Sequence, residues 1–291
     1  MNGRALPALP AALASIQIGA AIVATRFVIE QTSPASLALL HYAIGVCCLL
    51  PVALIAGRVR FARHDLVPVA LLGVVQFGVL VALLNAGLQT VSAARAALLF
   101  GTFPLLTMLF AAVAGAERLT WTTSCGVLLS LCGVGIALWL KAADAGLGHA
   151  AVSGELAVLA SAVCGALCSV LYRPYLQRYP ALAIGAVAML ASTAVLAVLA
   201  ATEGFFADFP PRFTSAGWMA VVFLGVGSGI GYVLWLWAIG RSTATRVTVF
   251  LALSPVTAIL LGTLLLGEQL SPVMILGLAA IGSGLWLVGG G

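Results

Sequence analysis

Ser92 to Leu119 reads SAARAALLFGTFPLLTMLFAAVAGAERL, and Thr243 to Leu270 reads TATRVTVFLALSPVTAILLGTLLLGEQL. At one constant offset Arg95 meets Arg246, Pro104 meets Pro255, Glu117 meets Glu268 and Leu119 meets Leu270. Gly126 then meets Gly277 and Gly133 meets Gly284, so residues 92–140 recur at about 243–290. Upstream, at an offset five residues smaller, Ser15 meets Ser161, Gly19 meets Gly165 and Pro34 meets Pro180. The chain therefore reads as one unit built twice, residues 1–145 and 146–291. The second copy has gained about five residues, which fit the polar stretch from Glu203 to Arg212.

With 63% apolar residues and 7% charged, the chain cannot cover a water-soluble surface, which carries roughly a quarter charged residues. Apolar runs of about 20 residues, enough to cross a bilayer, fall near 9–29, 36–56, 67–89, 94–114, 121–140, 155–175, 181–201, 216–239, 246–266 and 272–289. The fold class that follows is an all-α integral membrane protein of ten transmembrane helices. Helices pair their own backbone N–H and C=O groups, which lipid cannot do for them.

Five spans per copy is an odd number, so the second copy enters the membrane from the opposite side and the repeats are inverted around a central cavity. Placing the N-terminus inside puts nine basic residues on the inner side: Arg4, Arg58, Arg60, Arg63, Arg118, Arg173, Arg178, Arg241 and Arg246. Arg26, Arg95, Lys141 and Arg212 fall outside. Positive charge is retained on the cytoplasmic side, so both termini are expected there. Topology accounts for the basic pI, and no nucleic-acid partner is expected. The first apolar run follows Arg4 as a secretory signal would, but cleavage would remove the partners of Ser161 and Gly165, so an uncleaved first helix is expected.

All six cysteines, Cys47, Cys48, Cys125, Cys132, Cys164 and Cys168, fall inside the expected spans. There they serve as small packing residues, with no disulfide framework. Cys164 and Cys168 share a helical face, but no His or carboxylate accompanies them as metal ligands would. Trp121, Trp139, Trp218 and Trp286 mark span ends, where indoles favour the headgroup layer.

Inverted copies are a common plan for secondary transporters, with the cargo site near mid-membrane at interrupted helices. Pro104 in FGTFPLL and Pro255 in LALSPVT sit mid-span at matching places. Each proline removes a helical hydrogen bond and crowds the preceding turn, which makes the pair candidate hinges beside a cavity; a lone proline would read as a static kink. The eighth span carries GVGSGIGY, with Gly225, Gly227, Gly229 and Gly231 suited to close helix approach. Gly227 and Gly229 are also candidate hinge positions. Ser228, Tyr232 and Trp235 follow at i, i+4 and i+7, one face with a hydroxyl, a phenol and an indole.

Gln76 occupies the place in the third span that matches Ser228, with Asn85 and Gln89 beyond it, and Gln17 lies on the first span. Amides at mid-membrane should face protein or a water-filled cavity. Ser161, Tyr172, Thr107, Ser254 and Thr257 complete the polar inventory, although hydroxyls often bond back to their own helix. His41, the histidine set well inside a span, is either a proton carrier or a neutral imidazole bonded to a neighbouring carbonyl. The candidate cargo-binding set is Gln17, His41, Gln76, Asn85, Ser228, Tyr232, Trp235 and Ser254. Arg26 and Glu30, four apart, suit an interfacial pair, and Glu117 and Glu268 read as turn and cap residues with a possible gating role.

The paired turns at Gly115–Leu119 and Gly267–Leu270, the preceding Pro104 and Pro255, and the glycine-rich spans that follow resemble the drug/metabolite transporter superfamily, in particular its EamA-type ten-helix exporters. The resemblance covers nearly the whole chain. It implies that helices one to four and six to nine surround a central cavity while five and ten stay peripheral. Members of the family commonly carry an arginine in the second span where this chain has His41, and Val187 stands at the aligned place in the second copy. Within the superfamily the chain is most similar to YddG-type bacterial inner-membrane exporters of aromatic and other amino acids.

Export of a small zwitterionic metabolite by alternating access, with an amino acid as cargo and the lipid bilayer as the other partner, is the function expected from this pattern. No cofactor is implied, and the pattern is compatible with a monomer. Phosphorylated cargo would call for several buried Lys or Arg, and Lys141, at a surface, is the sole lysine. An enzyme would need paired aspartates, an H-E-x-x-H helix or a serine with a histidine base in the spans, and none occurs. The alternatives are an exporter of another metabolite or drug, and a non-transporting receptor or structural membrane protein.

Overall fold

The computed structural model describes residues 7–57, 59–116, 149–207 and 211–268, with isolated positions between 121 and 129 and between 272 and 283. Glu117, Cys132, Lys141 and most of the fifth and tenth expected spans lie outside the described residues. Among the described residues every regular element is helical, and eight helices are long and apolar enough to cross a membrane.

Helix α1 (Ala8–Val28) runs into a short 3-10 turn, Ile29–Gln31. Helix α2 is Pro34–Ile55. The third span is composite: α3 (Arg63–Gly73), a π-helical turn (Val74–Val79) and α4 (Leu80–Leu88). The fourth is α5 (Ala93–Phe100) and α6 (Phe103–Val113). Then come α7 (His149–Leu171), the short α8 (Arg173–Leu176), α9 (Ala181–Thr202) and α10 (Ser215–Arg241). The last described span is α11 (Ala244–Thr248), a 3-10 stretch (Val249–Ala252) and α12 (Leu253–Leu266).

The matched prolines coincide with matched interruptions. The fourth span breaks at Gly101–Thr102, and Pro104 opens the first turn of α6, where a missing N–H costs nothing. The last span passes through its 3-10 stretch just before Pro255, near the start of α12. Both breaks fall at the same place in the repeat. The spans end alike too: Gly115 and Gly267 take left-handed backbone, with φ of +64° and +66°, the conformation that closes a helix where a side chain would be strained.

Helices pack across the copies in matched pairs. Helix α1 lies against α10 and α12, and α7 lies against α4 and α6. Helix α2 lies against α9 and α10, and α9 lies against α3 and its π turn. Small residues set these approaches, as expected where lipid supplies no hydrophobic drive and close packing must. A Cβ on Gly225 would overlap Ile44 and lie 3.0 Å from the His41 carbonyl oxygen, and one on Gly229 would touch Gly45. A Cβ on Gly73 would overlap the Ala188 backbone. Helix α10 continues unbroken through Gly227 and Gly229, so both act there as packing positions.

Hydroxyls largely satisfy themselves. Ser15 Oγ donates to the Ala11 carbonyl, Ser161 to Val158, Thr107 to Phe103 and Thr257 to Leu253, the back-bonding expected of Ser and Thr in helices.

Candidate functional site

A cavity of about 100 Å³ opens between α1, α2, the third span, the fourth span and α10. By the usual measure of roughly 10–15 Å³ per water it holds several. Gln17, His41, Gln76, Asn85, Ser228, Tyr232 and Trp235 all border it. These seven come from four spans of both copies, so the structure brings together residues more than 200 positions apart. Ser254 does not border it. Its backbone is pressed against α1, where a Cβ on Gly19 would lie 2.5 Å from the Ser254 carbonyl oxygen.

Three side chains form a polar chain on one wall. His41 Nε2 lies 2.5 Å from Ser228 Oγ, and Gln17 Nε2 approaches the same hydroxyl at 3.5 Å. The Gln17 amide rests on a shelf made by two glycines: a Cβ on Gly227 would lie 3.0 Å from its Nε2 and one on Gly231 2.9 Å from its Oε1. The His41 ring is stacked on Tyr42 at 4.4 Å; the bond it makes is to a hydroxyl, and its Nδ1 is buried without a partner.

The rest of the lining includes an amide and several aromatic rings. Gln76 sits in the π turn, and its Oε1 is buried with no hydrogen-bond partner. Leaving such an acceptor unmet costs about 1–3 kcal/mol. Phe77 meets Tyr42 edge-on at 4.9 Å and Tyr232 at 4.3 Å, and Phe103 meets Trp235 in a T-shaped contact at 6.4 Å. Tyr172 is buried, and its hydroxyl has no hydrogen-bond partner. Asn85 Nδ2 donates to the Pro34 carbonyl at 3.0 Å, tying the third span to the start of α2. Among the described residues no Asp, Glu, Lys or Arg lines the cavity.

Tyr42, Phe77, Phe100 and Phe103 belong to this lining without having been singled out in the sequence. Their only signals were adjacency, Tyr42 and Phe77 next to His41 and Gln76, and Phe100 and Phe103 bracketing the Pro104 break.

Polar ties hold the ends of the bundle. Glu203, at the end of α9, accepts hydrogen bonds from the Ala35 and Ser36 amides at 3.1 and 2.8 Å and from the Ser33 and Ser36 hydroxyls. It thereby caps α2, whose first N–H groups have no partner within the helix. Glu268 does the same for α5, accepting from the Ala93 and Ala94 amides, so this carboxylate caps a helix of the other copy. Gln31 Oε1 accepts from the Thr214 amide at the start of α10, and Arg95 pairs with Glu155. At the other end Asp65 takes the Tyr179 hydroxyl at 2.8 Å and Arg178 at 3.2 Å. Arg26 and Glu30 pair at 2.7 Å, largely in the open, where such pairs contribute little.

The chain is 31% identical over 271 residues to a probable terminal-alkyne amino-acid exporter of Streptantibioticus cattleyicolor, covering 92% of this chain and 88% of that one. It is 33% identical over 149 residues, about half of each chain, to the aromatic amino acid exporter YddG of Ancylobacter novellus. A solved crystal structure superposes with a TM-score of 0.77 at 25% identity, covering 98% of both chains. The relatives carry transporter or exporter names and no enzyme names. The model of the EamA-like transporter family matches twice, at residues 6–139 and 152–290. The chain thus belongs to the EamA-like transporter family of the drug/metabolite transporter superfamily, and is a multi-pass membrane protein.

Proposed function

We propose that this transporter exports small zwitterionic metabolites, foremost amino acids including aromatic ones, across the bacterial inner membrane by alternating access. The observation that carries this reading is a cavity whose described lining is uncharged and combines Gln17, His41, Ser228 and Gln76 with aromatic rings. Amides, an imidazole and a hydroxyl can solvate both ends of a zwitterion, and rings accept apolar or flat side chains. The names of the two exporter relatives point the same way.

Residues 1–145 and 146–291 are the two moving units, each of five spans, inverted relative to one another with both termini cytoplasmic. The odd span count and the excess of arginine on one side support this arrangement. The breaks before Pro104 and Pro255 flex as the units rock, while Gly227 and Gly229 let α10 slide against α1 and α2. Opening at one end releases the Glu203 and Glu268 caps, and opening at the other releases Asp65 from Arg178 and Tyr179.

Counterflow in proteoliposomes, using a panel of radiolabelled amino acids, sugars and phosphates, tests the reading. Uptake of amino acids against an amino-acid-loaded interior is expected. Movement of phosphates alone, or of no solute, would overturn it.

A further inference from the structure

Resting on the reading of amino-acid export, we propose that Gln76 Oε1 together with Tyr42, Phe77 and Tyr232 forms a subsite for a primary ammonium group. The cargo's carboxylate is then dispensable, so the substrate class extends to amino-acid amides, esters and arylalkyl amines.

Gln76 is 9% exposed, borders the cavity and holds an acceptor oxygen without a donor. Of the other polar groups of the lining, Ser228 is engaged with His41 and Gln17 and Asn85 with the Pro34 carbonyl, while His41 Nδ1, like Gln76 Oε1, is buried without a partner. A buried carbonyl oxygen left open in this way is satisfied when the Gln76 amide turns it toward a donor that enters the cavity.

The backbone holds it there. Gln76 sits in a π-helical turn, a rare conformation that recurs at functional sites. Gly73 ahead of it is seated on Ala188, and a Cβ on Gly78 behind it would lie 3.3 Å from Ser192 Oγ. The turn is thus wedged against α9, and it sets the cavity face at Gln76, Phe77, Leu80, Val81, Leu84 and Asn85.

The surroundings favour a cation over an anion. Phe77, joined edge-on to Tyr42 and Tyr232, supplies ring quadrupoles that attract an ammonium group. Among the described residues no Lys or Arg lines the cavity to balance a carboxylate, whereas an ammonium group has the Gln76 oxygen and the rings as partners.

The test is thermal stabilisation of the purified full-length chain by phenylalanine amide and by N-acetylphenylalanine amide, which lacks the ammonium. The same compounds are then used as competitors in counterflow of L-phenylalanine. The free amine is expected to act at a concentration about tenfold lower than the acetylated compound, the worth of one charge-assisted contact. Gln76→Leu should erase that separation, and Gln76→Glu should widen it by about tenfold more, since a carboxylate replaces a neutral acceptor. Equal action of the two compounds on the unaltered protein, or a separation that survives in Gln76→Leu, overturns the subsite. Where Gln76→Leu does not fold, an unchanged separation in the near-isosteric Gln76→Glu overturns it. Stabilisation by the amine with no counterflow of any amino acid would sink the export reading and leave the subsite standing.

Discussion

At the break in the fourth span the ring of Phe103 lies over Gly165, whereas at the matching break in the last span the backbone of Ser254 lies over Gly19. Positions 103 and 254 stand at the repeat offset, and so, at the upstream offset, do Gly165 and Gly19. One packing seat has therefore been kept in both copies and filled in two ways. In the first copy a side chain fills it, and that ring also borders the cavity and meets Trp235. In the second copy the main chain fills it, and Ser254 is not among the residues that line the cavity. A duplicated backbone gains a one-sided cavity by changing what each half puts into equivalent places.

Removing the ring should have the largest effect. Phe103→Ala deletes the first copy's filler and should cost about 3 kcal/mol, the low end for a buried phenylalanine because lipid adds no hydrophobic drive. It should also slow counterflow of aromatic amino acids more than that of alanine. Melting in detergent and the ratio of the two fluxes check this, and an unchanged ratio would mean that Phe103 is packing alone.

Next comes overfilling. Gly19→Ala brings its methyl against the Ser254 main chain, which cannot turn aside, and should cost about 1–3 kcal/mol. Gly165→Ala meets the far ends of Phe103 and Leu80, which can give. Its cost should be smaller, with a larger change in selectivity between aromatic and small amino acids. Equal melting shifts for the two variants would break the distinction between backbone and side-chain filling.

The rim caps come third. Glu203→Gln retains the shape of the α2 cap but loses its charge, and should cost about 1 kcal/mol, read as a modest fall in melting temperature together with faster exchange of the Ala35 and Ser36 amides. The smallest effect is expected at Ser254→Ala: within about 0.5 kcal/mol of the parent and unaltered in counterflow. A large transport loss there would return Ser254 to the cargo site.

Much of this was legible in the residues. The repeat offset located the two broken helices, since prolines at matched depth can be read without any structure. The polar positions Gln17, His41, Gln76, Asn85 and Ser228 stood out because neutral polar groups are conspicuous in an apolar span. Ser254 stood out for the same reason and does not join them, since a serine's rotation about its helix depends on the 3-10 stretch before it. The aromatic lining was hidden because Phe100 or Phe103 in a span looks the same facing a cavity, a core or lipid. The π turn at Gln76 leaves no compositional mark, and neither does the cap that Glu203 places on α2, which joins residues some 170 apart.

The central claim is that one cavity between the halves is reached from each side of the membrane in turn. Its most direct test replaces the six native cysteines, introduces Ile18→Cys in the mid-span cavity lining, and measures reaction with a membrane-impermeant thiol reagent in right-side-out and inside-out vesicles. The account predicts labelling in both orientations, slowed in each by L-phenylalanine. Labelling from one side only, in a protein that still carries out counterflow, would contradict it.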